Sequence, residues 1–343
     1  DFTKDTLTKP WKLNVHPNQT TNKIEYQLIQ TITELVRIQI LERKTQMLYW
    51  NNVDLQDSLQ NYHAQDKYIS FQPWPGGFNN IRMSLEIAAV LAFLLNRKLI
   101  LPDKYHMYLL KNKSNMGDFF DQHSFGLHCL GLTEFCKLKN IPNNWKEIEK
   151  ISHVYDKVFD NGYICVPEIP KDDPIFSQLI KNRTVNELCD NDHEIIHFPK
   201  NLLGSFYLNI YSKRMKEASK YVAKHIHYKE HMFAEAYGVI DELGDRGYYA
   251  IHIRRNDHQY KNLFISAEQI YQNIRDIVPE KSKLYIATDC SDKSFFSVLN
   301  EKYQTSFYDD YTSSSNKYLD YNLIGMVEQL ICSRAKIFIG NDL

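Results

Sequence analysis

Apolar positions along the chain change period several times, and those changes divide it into elements. From Ile24 to about Trp50 they recur at helical spacing (Leu28, Ile32, Leu35 or Val36, Met47) with no glycine or proline between them. A long amphipathic helix is predicted there, behind a polar arm carrying Pro10 and Pro17. Its broken heptads favour a helix packed on its own domain over a dimerising coil. Lys67 to Gln72 is short and β-rich, Pro73 to Asn80 has turn chemistry, Ile81 to Leu95 is strongly helical, and Lys98 to Leu101 reads as a second strand stopped by Pro102. Strand, glycine turn, helix and strand make a βαβ unit, the signature of a parallel sheet.

The middle of the chain, about 103 to 200, is loop-rich, and its elements cannot be ordered from the pattern. Ser205 to Leu243 predicts a long helix ended by Gly244-Asp245-Arg246-Gly247, and Tyr248 to Ile253 predicts a buried strand. A helix near 267–277, a strand from Lys283 to Ala287, helices near 292–302 and 319–333 and a strand from Lys336 to Ile339 then alternate as in a Rossmann-like half. The expected organisation is an arm and long helix over 1–66, a first Rossmann-like domain over 67–243 and a second over 244–343.

Composition narrows the classes of function. With 43% hydrophobic and 24% charged residues over 343 positions, the chain has the material for packed cores and lacks the profile of disorder. Forty-one Lys and Arg against 42 Asp and Glu leave no basic excess for a nucleic-acid backbone. The longest apolar run, Ile87 to Leu95, is too short to span a bilayer as a helix. The chain opens on Asp1 without a leader pattern, so any targeting segment is expected upstream. Six cysteines allow up to three disulfides or ordinary buried thiols, and sequons at Asn18, Asn112 and Asn182 suit a secretory protein, although chance sequons are expected in an Asn-rich chain.

Candidate chemistry collects at predicted strand ends. The turn Gly76-Gly77-Phe78-Asn79-Asn80 places backbone N–H groups at a helix N-terminus, suited to an anion or a ligand hydroxyl; by itself it also reads as a plain tight turn. His252-Ile253-Arg254-Arg255-Asn256-Asp257 ends the first strand of the second half, where alternation sends His252 and Arg254 to one face. A guanidinium there can grip a diphosphate through two hydrogen bonds and neutralise it as it leaves, which makes Arg254 the leading catalytic candidate; a surface Arg–Asp cluster is the plain alternative. Thr288 and Asp289 follow the next strand, and Asp289 suits either a nucleotide contact or a helix cap. Three patterns point to metal. His193-Glu194-Ile195-Ile196-His197 matches the zinc-hydrolase spacing, but Pro199 and two β-branched residues favour a short strand. Asp190-Asn191-Asp192 resembles a metal-holding DxD, for which an acidic loop is the plainer reading. His227 and His231 sit four apart in the predicted helix, and two ligands do not make a structural site.

Four stretches, in order from about residue 67 to the end, carry a resemblance: Pro75 to Arg82 with Leu94 to Pro102 after the helix, His252 to Arg255, Ala287-Thr288-Asp289, and Glu328 to Asn341. Together they resemble the GDP-fucose protein O-fucosyltransferases, nearest to the branch that modifies thrombospondin-type repeats. The resemblance implies a GT-B-like α/β fold, two Rossmann-like domains facing across a cleft, with GDP-fucose held mainly by the C-terminal half. It implies an inverting, metal-independent transfer of fucose to a Ser or Thr hydroxyl of a protein, such as a small folded disulfide-rich repeat, in the lumen of the endoplasmic reticulum or Golgi. No further cofactor is implied. Arg254 matches the family arginine on the β-phosphate, with His252, Asp257, Thr288 and Asp289 around the donor and Gly76, Gly77, Phe78, Asn79, Asn80 and Arg82 in the loop and helix that close over it. Two departures are evident. Gly76 stands where one branch has a glutamate serving as base, and the chain stops at Leu343, where the family has a further donor-contacting segment, so Cys332 is expected to have a disulfide partner beyond the end. Alternative readings are a glycan-directed fucosyltransferase, an inactive GDP-sugar-binding protein and, remotely, the zinc hydrolase.

Overall fold

The computed structural model describes residues 65–73, 76–107, 113–121, 129–156, 164–165, 188, 191–200, 202, 210–211, 217–218, 221–222, 225–255, 264–311 and 320–340. The predicted N-terminal arm and helix, the three sequon asparagines, Asp190 and Asp257 lie outside these residues. The described residues form two compact units that divide between His227 and Tyr228.

The first unit is built on a five-stranded sheet. Its strands are β1 (Tyr68–Phe71), β2 (Lys98–Leu101), β3 (Cys129–Gly131), β4 (His153–Val154) and β5 (Ile195–Phe198), in the spatial order β3-β2-β1-β5-β4. Every pairing is parallel. Between β1 and β2 runs helix α1 (Phe78–Leu94), so the predicted βαβ unit is present. From Ile87 to Phe93 the helix is buried on every side, which is why its sequence is continuously apolar there rather than striped. Truncating a residue such as Leu91 to alanine costs about 2–5 kcal/mol at a site of this kind. Helices α2 (Leu132–Leu138) and α3 (Trp145–Lys150) supply Leu132, Phe135 and Ile148 to a cluster with Tyr68, Ile100 and Ile195.

The second unit contains helix α4 (Glu230–Leu243) and a four-stranded parallel sheet. Its strands are β6 (Tyr249–Ile253), β7 (Lys283–Thr288), β8 (Gln304–Ser306) and β9 (Ile337–Ile339), in the order β8-β7-β6-β9. Helices α5 (Ala267–Ile274), α6 (Ser297–Lys302) and α7 (Ile324–Ser333) connect them. Reading the strands by sequence, the order is 3-2-1-4, so β6 is the first strand and lies where the winding reverses. Its entry is fastened twice. Arg334 donates two hydrogen bonds to Asp245, at 2.9 and 2.5 Å, and the Tyr248 hydroxyl donates to the Ile331 carbonyl at 2.5 Å. Gly244, at φ 86°, ends α4 in a conformation that β-carbon-bearing residues avoid. The α/β class and the pair of parallel sheets agree with the GT-B-like expectation.

Two expectations are corrected. The long helix over Ser205 to Leu243 does not form. Ile210–Tyr211 is a short strand parallel to Ile164–Cys165, and the chain is extended at Lys229 before α4 begins. Tertiary bonds override the local pattern here: the His227 carbonyl accepts the Asp121 N–H at 3.0 Å, and the Tyr228 hydroxyl donates to Gln329 at 2.7 Å. His227 and His231 therefore do not share a helix face. Strand β8 was not foreseen, because three polar edge residues give no apolar signal.

Candidate functional site

In parallel sheets of this kind ligands bind beyond the carboxyl ends of strands at the switch point. At that end of β6, Ile251 and Ile253 point into the core while His252 is exposed and Arg254 keeps 39% of its side chain accessible. The Arg254 Nε lies 3.9 Å from the Asp289 carboxylate at the end of β7. Asp289 also accepts the Arg255 N–H at 2.6 Å, which fixes the backbone from which Arg254 springs. The Thr288 hydroxyl donates to the Ile253 carbonyl at 2.6 Å and accepts the Cys290 N–H at 3.0 Å, latching the two strand ends together. Four of the predicted residues, His252, Arg254, Thr288 and Asp289, thus meet at one edge.

The two adjacent arginines have separate jobs. Arg255 lies 4.0 Å from the Phe295 ring and 4.8 Å from the Phe264 ring, and its Nη1 donates to the Ile265 carbonyl at 2.9 Å. That guanidinium is built into the scaffold by cation–π contact and hydrogen bonding. Arg254, on the other face by strand alternation, lies instead beside Asp289 and stays part-exposed. Around it, desolvation lowers the His252 pKa, with the Asp289 charge opposing and the Arg254 charge adding to the shift. Glu328, on α7, was not anticipated as a site residue. Burial pushes its carboxyl up to about 7, against the Tyr285 hydroxyl at 3.4 Å, the Lys293 charge and a Thr288 backbone hydrogen bond. Nothing in the sequence distinguishes this glutamate from other helix-borne acids, since its perturbation comes from the strand ends packed against it.

In the first unit the glycine turn follows β1. Gly77 is the N-cap of α1, extended at φ −68°, and no atom lies within 4 Å of where a side chain would begin, so neither backbone strain nor crowding within the chain requires glycine there. Asn79 is exposed; the Asn80 N–H donates to the Gly77 carbonyl at 3.0 Å. The Phe78 ring packs edge-on against Phe119 at 4.9 Å and stacks on Phe120 at 6.0 Å. Arg82 Nε donates to Glu86 at 2.9 Å, a buried carboxyl whose pKa is raised by desolvation.

The metal readings fare differently. His197 lies in strand β5 and is fully buried, so the two histidines of the HExxH pattern do not share a helix face, and zincin geometry is not formed. Asp192 is fully exposed and pairs with Lys67 at 3.1 Å. Among the described residues no three acidic, histidine or cysteine side chains are grouped to hold a metal ion, and Cys129, Cys136, Cys290 and Cys332 are thiols.

A guanidinium beside a carboxylate at the switch point of a parallel sheet occupies the place where α/β proteins bind nucleotides. The chain belongs to the GDP-fucose protein O-fucosyltransferase family, whose profile matches residues 68–343. It is therefore a glycosyltransferase of the GDP-fucose-using class. Solved structures similar to it include POFUT1 in complex with GDP (14% identity, TM-score 0.47, covering 81% of this chain and 92% of that one). POFUT1 in complex with GDP-fucose is 14% identical with a TM-score of 0.44, covering 80% and 91%. The fucosyltransferase NodZ from Bradyrhizobium is 14% identical with a TM-score of 0.44, covering 79% and 84%. No curated protein matches the chain.

Proposed function

We propose that this chain transfers fucose from GDP-fucose to a Ser or Thr hydroxyl of a protein, with inversion at the anomeric carbon, without an essential metal, in the lumen of the secretory pathway. The observation that carries the proposal is the placement of Arg254: a guanidinium at the carboxyl end of the switch-point strand, its backbone held by Asp289 and the strand end latched by Thr288. As the bond from fucose C1 to the β-phosphate oxygen breaks, its electron pair stays on the diphosphate. Two parallel N–H donors neutralise that charge with a geometry an ammonium does not reproduce, which is the service a metal ion gives in other transferases. The acceptor oxygen bonds to C1 from the opposite face and its proton departs to a base or to water. In the first unit the Gly76–Asn80 turn supplies backbone N–H groups suited to a donor phosphate or hydroxyl, and Gly77 leaves room for close approach. No helix among the described residues is long and apolar enough to cross a membrane.

The test is GDP release from GDP-fucose with acceptor panels of folded disulfide-rich repeats, unfolded peptides and oligosaccharides, with and without chelator, followed by determination of the product anomer. We expect an α-linked fucose on a folded repeat at a rate unchanged by chelator. Transfer to glycans alone would replace the acceptor, loss of rate with chelator would reinstate a metal, and GDP binding without any transfer would leave only a nucleotide-sugar-binding protein.

A further inference from the structure

At the carboxyl edge of the first sheet, four polar side chains from three elements form a hydrogen-bonded chain that the transfer chemistry above does not use. Ser70 of β1 and His197 of β5 are direct neighbours across the parallel pairing, and both are fully buried. The Ser70 Oγ is 2.5 Å from His197 Nδ1. The other ring nitrogen faces the Gln72 amide nitrogen at 3.2 Å, and that same amide donates to Glu149 of α3 at 2.8 Å. The Glu149 carboxylate retains 38% of its accessibility, so the chain runs from the core to solvent.

The Gln72 amide orientation sets the donors and acceptors around the ring. An amide nitrogen only donates, so His197 Nε2 accepts, and the proton of the neutral ring sits on Nδ1 and is given to Ser70. Desolvation lowers the His197 pKa to about 4, which keeps the ring in this neutral form, and Trp145 closes over it at 5.5 Å. The charged group facing the ring is Glu149, 3.8 Å from Nε2; Tyr155 meets it through its backbone N–H on the His197 carbonyl. Burying such groups costs stability compared with an apolar strand pair, and in return it specifies one arrangement of the atoms involved. What it specifies is the exit of β1. Gln72 is tied at its side chain to both His197 and Glu149, and at its backbone to the Phe198 carbonyl at 2.9 Å, four positions before Gly76.

We infer that the Ser70–His197–Gln72–Glu149 chain is a positioning device for the glycine turn, and that Gln72 and Glu149 act in transfer by fixing where Gly76 and Gly77 stand rather than by touching substrate. The inference rests on the reading that this turn serves the GDP-fucose donor. It distinguishes Glu149 from a proton acceptor: a positioning carboxylate needs only to accept a hydrogen bond from Gln72, whereas a base needs its charge.

The test compares Gln72→Met, Glu149→Ala and Glu149→Gln in the full chain, measuring kcat, KM for GDP-fucose, melting temperature and amide hydrogen exchange over residues 76–80. Gln72→Met and Glu149→Ala should lower kcat by roughly ten- to a hundredfold, the range set by a displacement of about 1 Å, and should raise exchange at Gly77 to Asn80. Glu149→Gln, whose carboxamide oxygen still accepts, should recover most of the loss. Unchanged exchange at the turn in Gln72→Met would overturn the inference whatever the rates are. So would a Glu149→Gln enzyme as slow as Glu149→Ala, because the charge would then be what matters. Failure of the functional reading itself shows separately, as a wild-type chain that consumes no GDP-fucose.

Discussion

The two sheets present their carboxyl edges in opposite ways. At the end of β6 the polar groups His252, Arg254 and Asp289 lie partly or largely in solvent and form a charged surface. At the end of β1, Ser70, Gln72 and His197 are buried and turned upon one another, and only Glu149 emerges. Equivalent positions in similar topologies thus carry different labour. The β6 edge keeps charged groups accessible, as the proposed contact with a diphosphate requires. An edge that must hold a backbone turn still satisfies its groups internally, because any unmet donor there would cost stability.

The contrast is broken most severely by Arg254→Lys. Turnover should fall roughly a thousandfold, in line with loss of an electrostatic contact made in the transition state, while the melting temperature holds. Arg255→Lys should do the reverse, lowering stability by about 1 kcal/mol through its lost aromatic contacts and leaving a larger share of turnover intact. Equal losses of turnover in the two variants would dissolve the distinction between the arginines.

Next in size are opposite dependences of stability on pH. The His197 pKa is lowered in the fold, so the unfolded chain binds more protons between about 4 and the ordinary histidine value of 6.5. Its contribution is present above that range and is lost as pH falls through it. The Glu328 pKa is raised to about 7, so its contribution is present below the ordinary value of 4.5 and is lost as pH rises toward 7. Each amounts to at most about 3 kcal/mol by linkage. Urea melts from pH 4 to 7 should therefore show a rising slope unmasked by Glu328→Gln and a falling one unmasked by His197→Asn. Parallel slopes in the two variants would contradict the assignments.

The smallest effect sharpens the comparison at the turn. Gly77→Ala meets no atom within 4 Å and needs no unusual φ, so folding should be unaffected. Affinity for GDP-fucose should drop about tenfold if donor and backbone approach closely there, a loss of about 1.4 kcal/mol measurable by calorimetry. Unaltered affinity would remove Gly77 from the donor contacts.

Sequence pattern alone determined the βαβ start, the strand ending at Ile253 and the break at Gly244, because each is written in neighbouring residues as apolar period or turn chemistry. The strand reading of His193 to His197 was equally local, from two β-branched residues and a nearby proline. Tertiary structure alone decided which adjacent arginine belongs to the scaffold, why a helix yields to extended chain at Lys229, and how Gln72 reaches His197 across 125 positions. It also decided the state of Glu328. A hydrogen-bond partner distant in sequence, a ring stacked on a guanidinium and the withdrawal of water from a carboxyl are properties of the packed chain, and no local period encodes them.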